Sequence, residues 1–378
     1  MTAAAGLCPF NVADLVALAR LAEGCARHEH GRRPGERIGP ARSPTSLEAF
    51  SAMRAALFDR HGAAREVLRV EDLERPEPGP GEVRVKVEVS GINPTDWKSR
   101  SGATPRPMDG FQIPHHDGAG VIDAVGEGVD PGRIGQRVWL WQAAHGRRWG
   151  TAAEWTVVPG RQAVPLPDGA SAELGASLGV PAMTAHRCLF ADGPVDGKTV
   201  LVAGGAGAVG HYAVELAKRA GARVVTTVSG PRKAELAAKA GADLVVNYRE
   251  PDAAEQIRSF AGPGGVDHVV EVALGANQQL DLAVVRRPDA RIVTYAADGA
   301  DPVLPVRACM TANVVLRFVL LYGVPPEALD RAAQDITAAL ADGALTELPV
   351  VRFPLDEIAA AQDAVQGGAV TGKVLVVP

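Results

Sequence analysis

Residues 198–210 read KTVLVAGGAGAVG, an apolar run that ends in a cluster of glycines. Gly205, Gly207 and Gly210 have the spacing G-x-G-x-x-G, and a helical pattern begins at Ala208. A strand that turns sharply into a helix leaves free backbone N–H groups, which a pyrophosphate can approach where the backbone has no Cβ atoms. The glycine spacing alone also fits an ordinary tight turn. Its place between a strand and a helix favours a dinucleotide-binding turn.

The residues after this turn continue to alternate between strand and helix patterns. Apolar strand patterns recur at 223–229, 243–248, 266–272 and 291–296. Helical patterns separate them, as at residues 208–220 and 232–240. Apolar strands that alternate with helices predict a parallel, doubly wound α/β sheet of the Rossmann type.

The residues before the turn have a different pattern. Short alternating strands, such as 53–58 and 82–92, are separated by Gly- and Pro-rich joints, which predicts a small barrel-like β domain. Residues 1–52 contain one short amphipathic stretch, followed by a Pro-, Gly- and Arg-rich segment at 28–46. Such a composition cannot bury much apolar surface. We therefore expect residues 1–52 to be a mostly disordered extension.

Composition excludes several classes of function. The net charge is −5, so no excess of basic residues is available to bind nucleic acid. No apolar run reaches the length of a membrane span; residues 314–322 come closest and predict a buried strand. The four cysteines are widely spaced and form no C-x-x-C pair. We expect a cytoplasmic protein that binds neither nucleic acid nor a membrane.

The strand after the glycine turn indicates which nicotinamide cofactor is used. NAD sites place an acidic residue about 20 residues beyond the first glycine, for the ribose 2′-hydroxyl. Here that segment is Ser229-Gly230-Pro231-Arg232-Lys233, with no acid before Glu235. A hydroxyl and two cations suit a 2′-phosphate, so we predict NADPH, with Ser229 and Lys233 as its contacts. The alternative is that Arg232 and Lys233 only form a solvated first helical turn.

Residues 53–378 resemble the medium-chain dehydrogenase/reductase superfamily, and within it the zinc-independent quinone oxidoreductase branch. The segments that carry the resemblance are VSGINPTDWKSRSG (89–102), PHHDGAGVIDAVGEGV (114–129), GVPAMTAHRCL (179–189), residues 200–229, KAGADLVVNY (239–248) and TGKVLVV (371–377). The resemblance implies a chaperonin-10-like (GroES-like) β-barrel catalytic domain formed by residues 53–177 and 317–378. A Rossmann domain, residues 178–316, would be inserted between these two parts.

The resemblance also implies that the site holds no metal. Zinc-dependent relatives have a cysteine ligand where this chain has Asn93, and a third ligand near Val180. Of the three ligand positions only His116 keeps a metal-binding side chain, within His115-His116-Asp117. A catalytic zinc needs three protein ligands. We therefore predict no metal.

The resemblance implies roles for individual residues. Asn93 and Asp96 would lie beside nicotinamide and substrate, and Trp97 stands where quinone reductases often have a tyrosine next to the acid. Asp96 could instead cap a local N–H, and Asn93-Pro94 could be an ordinary turn. Residues predicted to bind the cofactor are Thr184 at the nicotinamide, Tyr248 near the adenosine, Lys373 at the phosphates, and Gly205, Gly207, Ala208, Val209, Gly210, Ser229 and Lys233.

The predicted function is metal-free hydride transfer from NADPH to a quinone or an α,β-unsaturated carbonyl. Two alternatives remain open. One is an enoyl-thioester reductase of the same fold, which would need a basic groove that no cluster in the sequence indicates. The other is a non-catalytic, redox-sensing protein that binds NADPH. Residues 145–149 (HGRRW) could edge the pocket or form a solvated loop, and residues 314–322 resemble the edge through which relatives form homodimers.

Overall fold

The computed structural model describes residues 52–297, 301–368 and 370–378. The predicted extension therefore lies outside the described residues except for Ala52, where the first strand begins. The strands are β1 (Ala52–Leu57), β2 (Arg69–Glu74), β3 (Glu82–Gly91), β4 (Asp117–Val125), β5 (Arg137–Leu140), β6 (Trp155–Pro159), β7 (Ala163–Pro165), β8 (Thr199–Ala203), β9 (Arg223–Val228), β10 (Leu244–Asn247), β11 (His268–Glu271), β12 (Arg291–Thr294), β13 (Val315–Phe318), β14 (Val350–Pro354) and β15 (Lys373–Val377).

Helices connect most of these strands. They are α1 (Ala64–Val67), α2 (Pro94–Ser101), α3 (Ala172–Gly175), α4 (Gly179–Phe190), α5 (Ala208–Arg219), α6 (Pro231–Lys239), α7 (Ala253–Ala261), α8 (Leu274–Val284), α9 (Val306–Ala312), α10 (Pro326–Ala341) and α11 (Ile358–Gln366). Short 3-10 turns lie at Pro131–Arg133, Gly160–Gln162, Leu321–Gly323 and Leu355–Glu357. None of the described helices is long and apolar enough to cross a membrane.

The dinucleotide-type sheet has six parallel strands in the order β10-β9-β8-β11-β12-β13. All five residues of β8 are buried, because helices cover a doubly wound sheet on both faces. The strand order reverses between β8 and β11, and such a reversal opens a crevice at the carboxyl ends of the strands. The glycine turn follows β8 directly, at that crevice. The predicted doubly wound sheet is confirmed.

The second sheet has the order β14-β15-β3-β4-β5-β7, and β6 pairs with β3 as well. The last strand, β15, lies antiparallel to β3 and parallel to β14. The end of the chain therefore completes a sheet that begins more than a hundred residues before the parallel sheet. This is the predicted arrangement of a Rossmann sheet inserted in a GroES-like β domain.

One strand differs from its prediction. Residues 314–322 were expected to form a buried strand, but β13 covers only Val315–Phe318 and is the edge of the parallel sheet. The side chains of Phe318 and Leu320 are 68% and 70% exposed. An apolar run has the same pattern in a central strand and in an edge strand, so the sequence could not separate the two. The predicted domain boundary at 316/317 falls inside this strand.

The two sheets share one apolar core. Trp139 lies in β5 of the second sheet and Trp141 directly follows that strand; both are fully buried in one cluster with residues of α4, α5 and α10. The indole Nε1 of Trp139 donates to Thr337 Oγ1 of α10 at 3.3 Å. This core fixes the first turn of α4 against the start of β4, where the candidate site is built.

Candidate active site

The site begins at the turn from β3 into α2. Asn93 is extended (φ −128°, ψ 160°) and Pro94 occupies the first helical position, where its fixed φ suits a helix start. The backbone N–H of Asn93 donates to Asp96 Oδ2 at 2.7 Å. Asp96 is only 3% exposed. Asp96 therefore caps a local N–H, the alternative that the sequence left open, and this contact fixes its carboxyl inside the protein.

Asn93 also joins a buried charged cluster. Its Nδ2 donates to Asp117 Oδ2 at 2.6 Å, and its Oδ1 accepts from Lys373 Nζ at 2.6 Å. Lys373 Nζ lies 3.5 Å from Asp117 Oδ2, and the backbone N–H of Val180 donates to Asp117 Oδ1 at 2.8 Å. The amide oxygen and one amide N–H of Asn93 are thus bonded inside the protein, and this geometry gives no support to a direct substrate contact.

The prediction that Lys373 reaches the cofactor phosphates needs correction. Its ammonium is buried between Asn93 and Asp117, at the first residue of a strand in the other sheet. An ammonium that is already held by a buried carboxylate and an amide oxygen is not presented to a phosphate. We therefore treat Lys373 as part of the buried cluster.

Burial sets the protonation of this cluster. It raises the pKa of Asp96 to about 7; the Asn93 N–H lowers this pKa, Asp117 raises it further, and Lys373 and Arg106 lower it. Burial also raises the pKa of Asp117, opposed by Lys373 and by Asn93, and lowers the pKa of Lys373, opposed by Asp117 and Asp96. Asp96 is therefore the group that can gain and lose a proton near neutral pH.

His116 lies beside Asp96, with its Nε2 at 3.9 Å from Asp96 Oδ1. Burial lowers the pKa of His116 far below its usual range, so the ring is neutral. Arg106 Nη1 lies 3.0 Å from His116 Nε2, and since a guanidinium can only donate, the ring proton is on Nδ1. That Nδ1 is buried and has no hydrogen-bond partner among the described residues.

Two further residues, Arg106 and Tyr322, complete this corner, and no sequence pattern indicated either of them. The guanidinium of Arg106 lies 4.4 Å from the ring centroid of Tyr322, whose own ring packs against His116 at 5.0 Å. Tyr322 Oη donates to Thr95 Oγ1 at 3.2 Å. Tyr322 belongs to a 3-10 turn and not to the predicted strand, which is why an apolar strand pattern could not place it in the site.

His115 has different surroundings from its neighbour. Its backbone is left-handed (φ 77°), and its Nδ1 lies 2.9 Å from Ser90 Oγ. Its Nε2 lies 3.2 Å from Gln362 Nε2, whose amide oxygen accepts from Arg100 Nε at 2.9 Å. Burial lowers the pKa of His115 to about 3, so it stays neutral. His115 therefore ties β3, α2 and α11 together, while His116 faces Arg106 and Tyr322.

Two connected spaces lie in front of Asp96. A small cavity is lined by Asp96 and His116, among others, and a groove of about 550 Å³ continues outward. Arg106, Gln112 and Ala144 line both spaces. The groove wall includes His145, Arg147 and Arg148, so the loop at 145–149 lines this groove.

The structure does not bring Trp97 into these spaces. Its indole is half-buried with the Lys98 ammonium 5.8 Å from the ring, and it lines neither of the two cavities described here. Phe58 contributes the aromatic ring of the small cavity instead. A place for Trp97 at the substrate, beside Asp96, therefore has no support in this geometry.

The glycine turn has the shape that a pyrophosphate needs. A Cβ on Gly205 would stand 2.1 Å from Thr226 Oγ1, and one on Gly210 would stand 2.3 Å from the carbonyl oxygen of Gly204. These two glycines let the turn pack against β9 and against itself. Gly207 is the N-cap of α5, so the first-turn residues Ala208 and Val209 present free N–H groups at a helix N-terminus. These residues fit a dinucleotide.

The other predicted cofactor residues lie in the same sheet region. Ser229 follows β9 and is half-buried, and Lys233 is exposed in the first turn of α6. Tyr248 follows β10 and is 46% exposed, and Thr184 is buried in α4. Since carboxyl ends of parallel strands meet at one edge, the glycine turn, Ser229 and Tyr248 share that edge.

A second pair of buried carboxyls escaped the sequence reasoning. Glu271 ends β11, next to β8 at the crevice, and its Oε1 accepts from the Ala273 N–H and from Asn277 Nδ2. Burial and the neighbouring Glu271 raise the pKa of Asp281 to about 9. One proton is therefore held between these two carboxyls at neutral pH.

Comparison with known proteins agrees with this architecture. The family model described as alcohol dehydrogenase GroES-like domain matches residues 79–168, and that described as zinc-binding dehydrogenase matches residues 208–338. No group of three or more His, Cys, Asp or Glu in the described ranges is arranged to hold a metal ion.

Three relatives illustrate the similarity. The quinone oxidoreductase of Homo sapiens is 28% identical over 326 residues, which cover 85% of this chain and 97% of the relative. A mycobacterial quinone oxidoreductase structure is 30% identical with a TM-score of 0.75 and covers 86% of this chain and 100% of its own. The Escherichia coli quinone oxidoreductase complexed with NADPH is 27% identical with a TM-score of 0.74, again covering 86% of this chain and 100% of its own.

Proposed function

The chain belongs to the medium-chain dehydrogenase/reductase superfamily, in its quinone oxidoreductase branch, and we propose that it reduces a quinone without a metal ion. It is an NADPH-dependent oxidoreductase. The observation that carries metal-free hydride transfer to a conjugated acceptor is Asp96, a buried carboxyl with a pKa of about 7 that lines the small cavity, and the similarity to quinone oxidoreductases supports a quinone as that acceptor. An acceptor that takes up hydride into a conjugated system needs only a proton afterwards, and this carboxyl can hold one.

Bound NADPH supplies the hydride, and the overall reaction converts a quinone, NADPH and one proton into a hydroquinone and NADP⁺. Because Asp96 Oδ2 accepts from the Asn93 N–H, the proton of the carboxyl sits on Oδ1, on the side of His116. Asp96 gives this proton to the acceptor oxygen, and Lys373 and the Asn93 N–H stabilise the carboxylate that remains. The free Nδ1–H of His116 is a second donor in the same corner.

The cofactor is bound by the glycine turn and the residues at the same sheet edge. Gly205, Gly207 and Gly210, with the N–H groups of Ala208 and Val209, hold the pyrophosphate. Ser229 and Lys233 bind the 2′-phosphate, Tyr248 packs near the adenosine, and Thr184 lies at the nicotinamide end. The exposure of Lys233 leaves its ammonium available for this contact.

An enoyl-thioester reductase is the second candidate, and one observation favours it. The sequence showed no basic cluster for a pantetheine phosphate, but the fold brings Arg106, Arg147 and Arg148 together around one groove. Arg106 lies 41 and 42 residues before Arg147 and Arg148 in the chain, and this separation concealed the cluster. A simple enone has the same conjugated carbonyl as an enoyl thioester but no phosphate, so it serves as a third acceptor for comparison.

A panel of three acceptors tests the proposal. We expect steady oxidation of NADPH with naphthoquinone, measured by the loss of nicotinamide absorbance, and slower oxidation with a simple enone and with crotonyl-pantetheine. Faster turnover of crotonyl-pantetheine would replace the quinone by an enoyl thioester as acceptor. Binding of NADPH without turnover of any of the three would favour a non-catalytic, redox-sensing role.

We also propose a homodimer that forms through β13. Among the described strands this edge strand pairs with β12 alone; it exposes Val315 and Phe318, and Leu320 is exposed two residues beyond it. Val306 and Met310 of α9 are 62% and 74% exposed nearby in the chain. An apolar sheet edge of this kind pairs readily with another strand, and a second copy of β13 would cover it.

A further inference from the structure

We propose that the acceptor carries an anionic group, a carboxylate, sulfonate or phosphate, which Arg106 binds where the groove joins the small cavity. This inference rests on the proposed function, because it takes Asp96, which lines the small cavity, as the proton donor to an acceptor that enters through the groove. The inference goes beyond the proposed function because hydride transfer to a quinone or an alkene does not itself require an anionic group on the acceptor.

Arg106 is held in place without being neutralised. Its guanidinium lies over the ring of Tyr322 at 4.4 Å and donates to the neutral ring of His116 at 3.0 Å. In the part of the chain that the structure describes, no carboxylate forms an ion pair with it. A half-buried cation has lost part of its hydration, so an anion that arrives there gains more than at a solvated arginine.

The groove wall adds a second cation with unused hydrogen-bonding capacity. The side chain of Arg147 is 18% exposed and donates to Gln162, and its Nη1 lies 3.9 Å from Glu82. That nitrogen is buried without a hydrogen-bond acceptor in the described residues. A buried N–H of this kind costs free energy until an acceptor reaches it.

The third arginine is paired, but only at the rim. Arg148 donates to Asp109 at 2.6 Å and stacks on Phe111 at 5.0 Å. The Asp109 carboxylate is 96% exposed, and an exposed pair of this kind contributes little. Because Arg147 lies within ion-pair distance of Glu82 and Arg148 is paired with Asp109, the cation of this groove that has no carboxylate partner among the described residues is Arg106.

The arrangement of the small cavity and the groove determines which end of the acceptor lies near Asp96 and which lies near Arg106. Because Arg106, Gln112 and Ala144 line both, an acceptor whose reducible end meets Asp96 must pass Arg106 on its way out. The groove of about 550 Å³ is large enough for a substantial second part of the molecule. A small quinone acid and a phosphopantetheine thioester would both place an anionic oxygen there.

Matched acceptors test the inference. We expect Arg106→Gln to lower kcat/KM for a naphthoquinone sulfonate about 10- to 100-fold, the effect of losing a charged hydrogen bond of about 1.5–3 kcal/mol. Because Arg106 also contacts His116 and lowers the pKa of Asp96, part of the loss is shared by neutral naphthoquinone, and the inference is tested by the ratio of kcat/KM for the two quinones, which should fall about 10-fold or more. Arg106→Lys should restore part of the preference, and Arg65→Gln, which removes the same charge from a side chain that is 79% exposed, should change neither value. Equal losses for both quinones would overturn the inference.

A binding measurement separates this inference from the proposed reaction. Naphthalene sulfonate, which cannot be reduced, should bind the wild-type protein in calorimetry, and more weakly to Arg106→Gln and at high salt. Absence of turnover with both quinones, with this binding intact, would contradict the proposed reaction and support the anion site. Binding that ignores both the substitution and the salt would contradict the anion site.

The same variant shows which kind of anion the site takes. Crotonyl-pantetheine with and without its terminal phosphate forms a second matched pair. A phosphate preference that Arg106→Gln removes would identify a carrier arm as the source of the anion. A preference confined to the sulfonated quinone would identify a small acid.

Discussion

Asp96→Asn should remove a pH dependence of stability that the buried carboxyl creates. Asparagine keeps the shape and can still accept from the Asn93 N–H, but it cannot ionise. The native pKa of Asp96 is about 7, against an ordinary value of 3.8. At about 1.4 kcal/mol per pH unit, the free energy of unfolding changes by about 4 kcal/mol between these two values.

The sign follows from which state holds the proton. Between pH 4 and pH 7 the folded protein keeps the proton of Asp96 and the unfolded chain has lost it, so stability falls as the pH rises. The loss is complete above the folded pKa. Urea unfolding followed by tryptophan fluorescence should therefore show the stability of Asp96→Asn relative to the wild type rising by about 3 kcal/mol between pH 4.5 and pH 8.5, because about 1 kcal/mol of the change already occurs below pH 4.5.

A control substitution and the pH dependence of turnover show whether the effect belongs to the Asp96 carboxyl. Asp72→Asn, at an exposed position of β2, should leave the pH dependence of the wild type unchanged. The turnover of the wild type should also fall above pH 7, as Asp96 loses its proton, while that of Asp96→Asn should be low and flat. Parallel stability curves for wild type and Asp96→Asn would refute the assignment of a neutral, buried carboxyl.

Three other predictions concern cofactor choice, assembly and the extension. Lys233→Ala should raise the KM for NADPH about 10- to 100-fold and leave that for NADH almost unchanged, because only NADPH has the 2′-phosphate; equal effects on the two cofactors would contradict this contact. Phe318→Glu should convert a dimer into monomers in sedimentation velocity, and an unchanged dimer would place the interface elsewhere. A chain shortened to begin at Met53 should keep turnover within about a factor of two; a tenfold loss would show that the extension takes part in catalysis.

Local patterns were sufficient to predict the parallel sheet. The strand before Gly205 and the helix after Gly207 follow from apolar periodicity and glycine spacing within about twenty residues. Local patterns were not sufficient to predict the mixed sheet, because β15, at the far end of the chain, pairs with β3. Only the resemblance to a family carried that information.

The chemistry of the site could not be predicted in the same way. The pKa of Asp96 depends on Lys373, and the Lys373 ammonium is bound by Asn93 across 280 positions of sequence. The sequence pattern predicted that Tyr322 belongs to a buried strand, and it assigned no role to Arg106. Burial and charge at a site are properties of contacts between distant segments, which periodicity and spacing do not report.

The central claim is that NADPH reduces a quinone here without a metal. The direct measurement is the stoichiometry of turnover after dialysis against a strong chelator, with metal analysis of the same sample. The account predicts one naphthoquinone reduced for each NADPH oxidised, at an unchanged rate, in protein that contains no stoichiometric zinc. Loss of turnover on chelation, restored by about one zinc ion per chain, would contradict it.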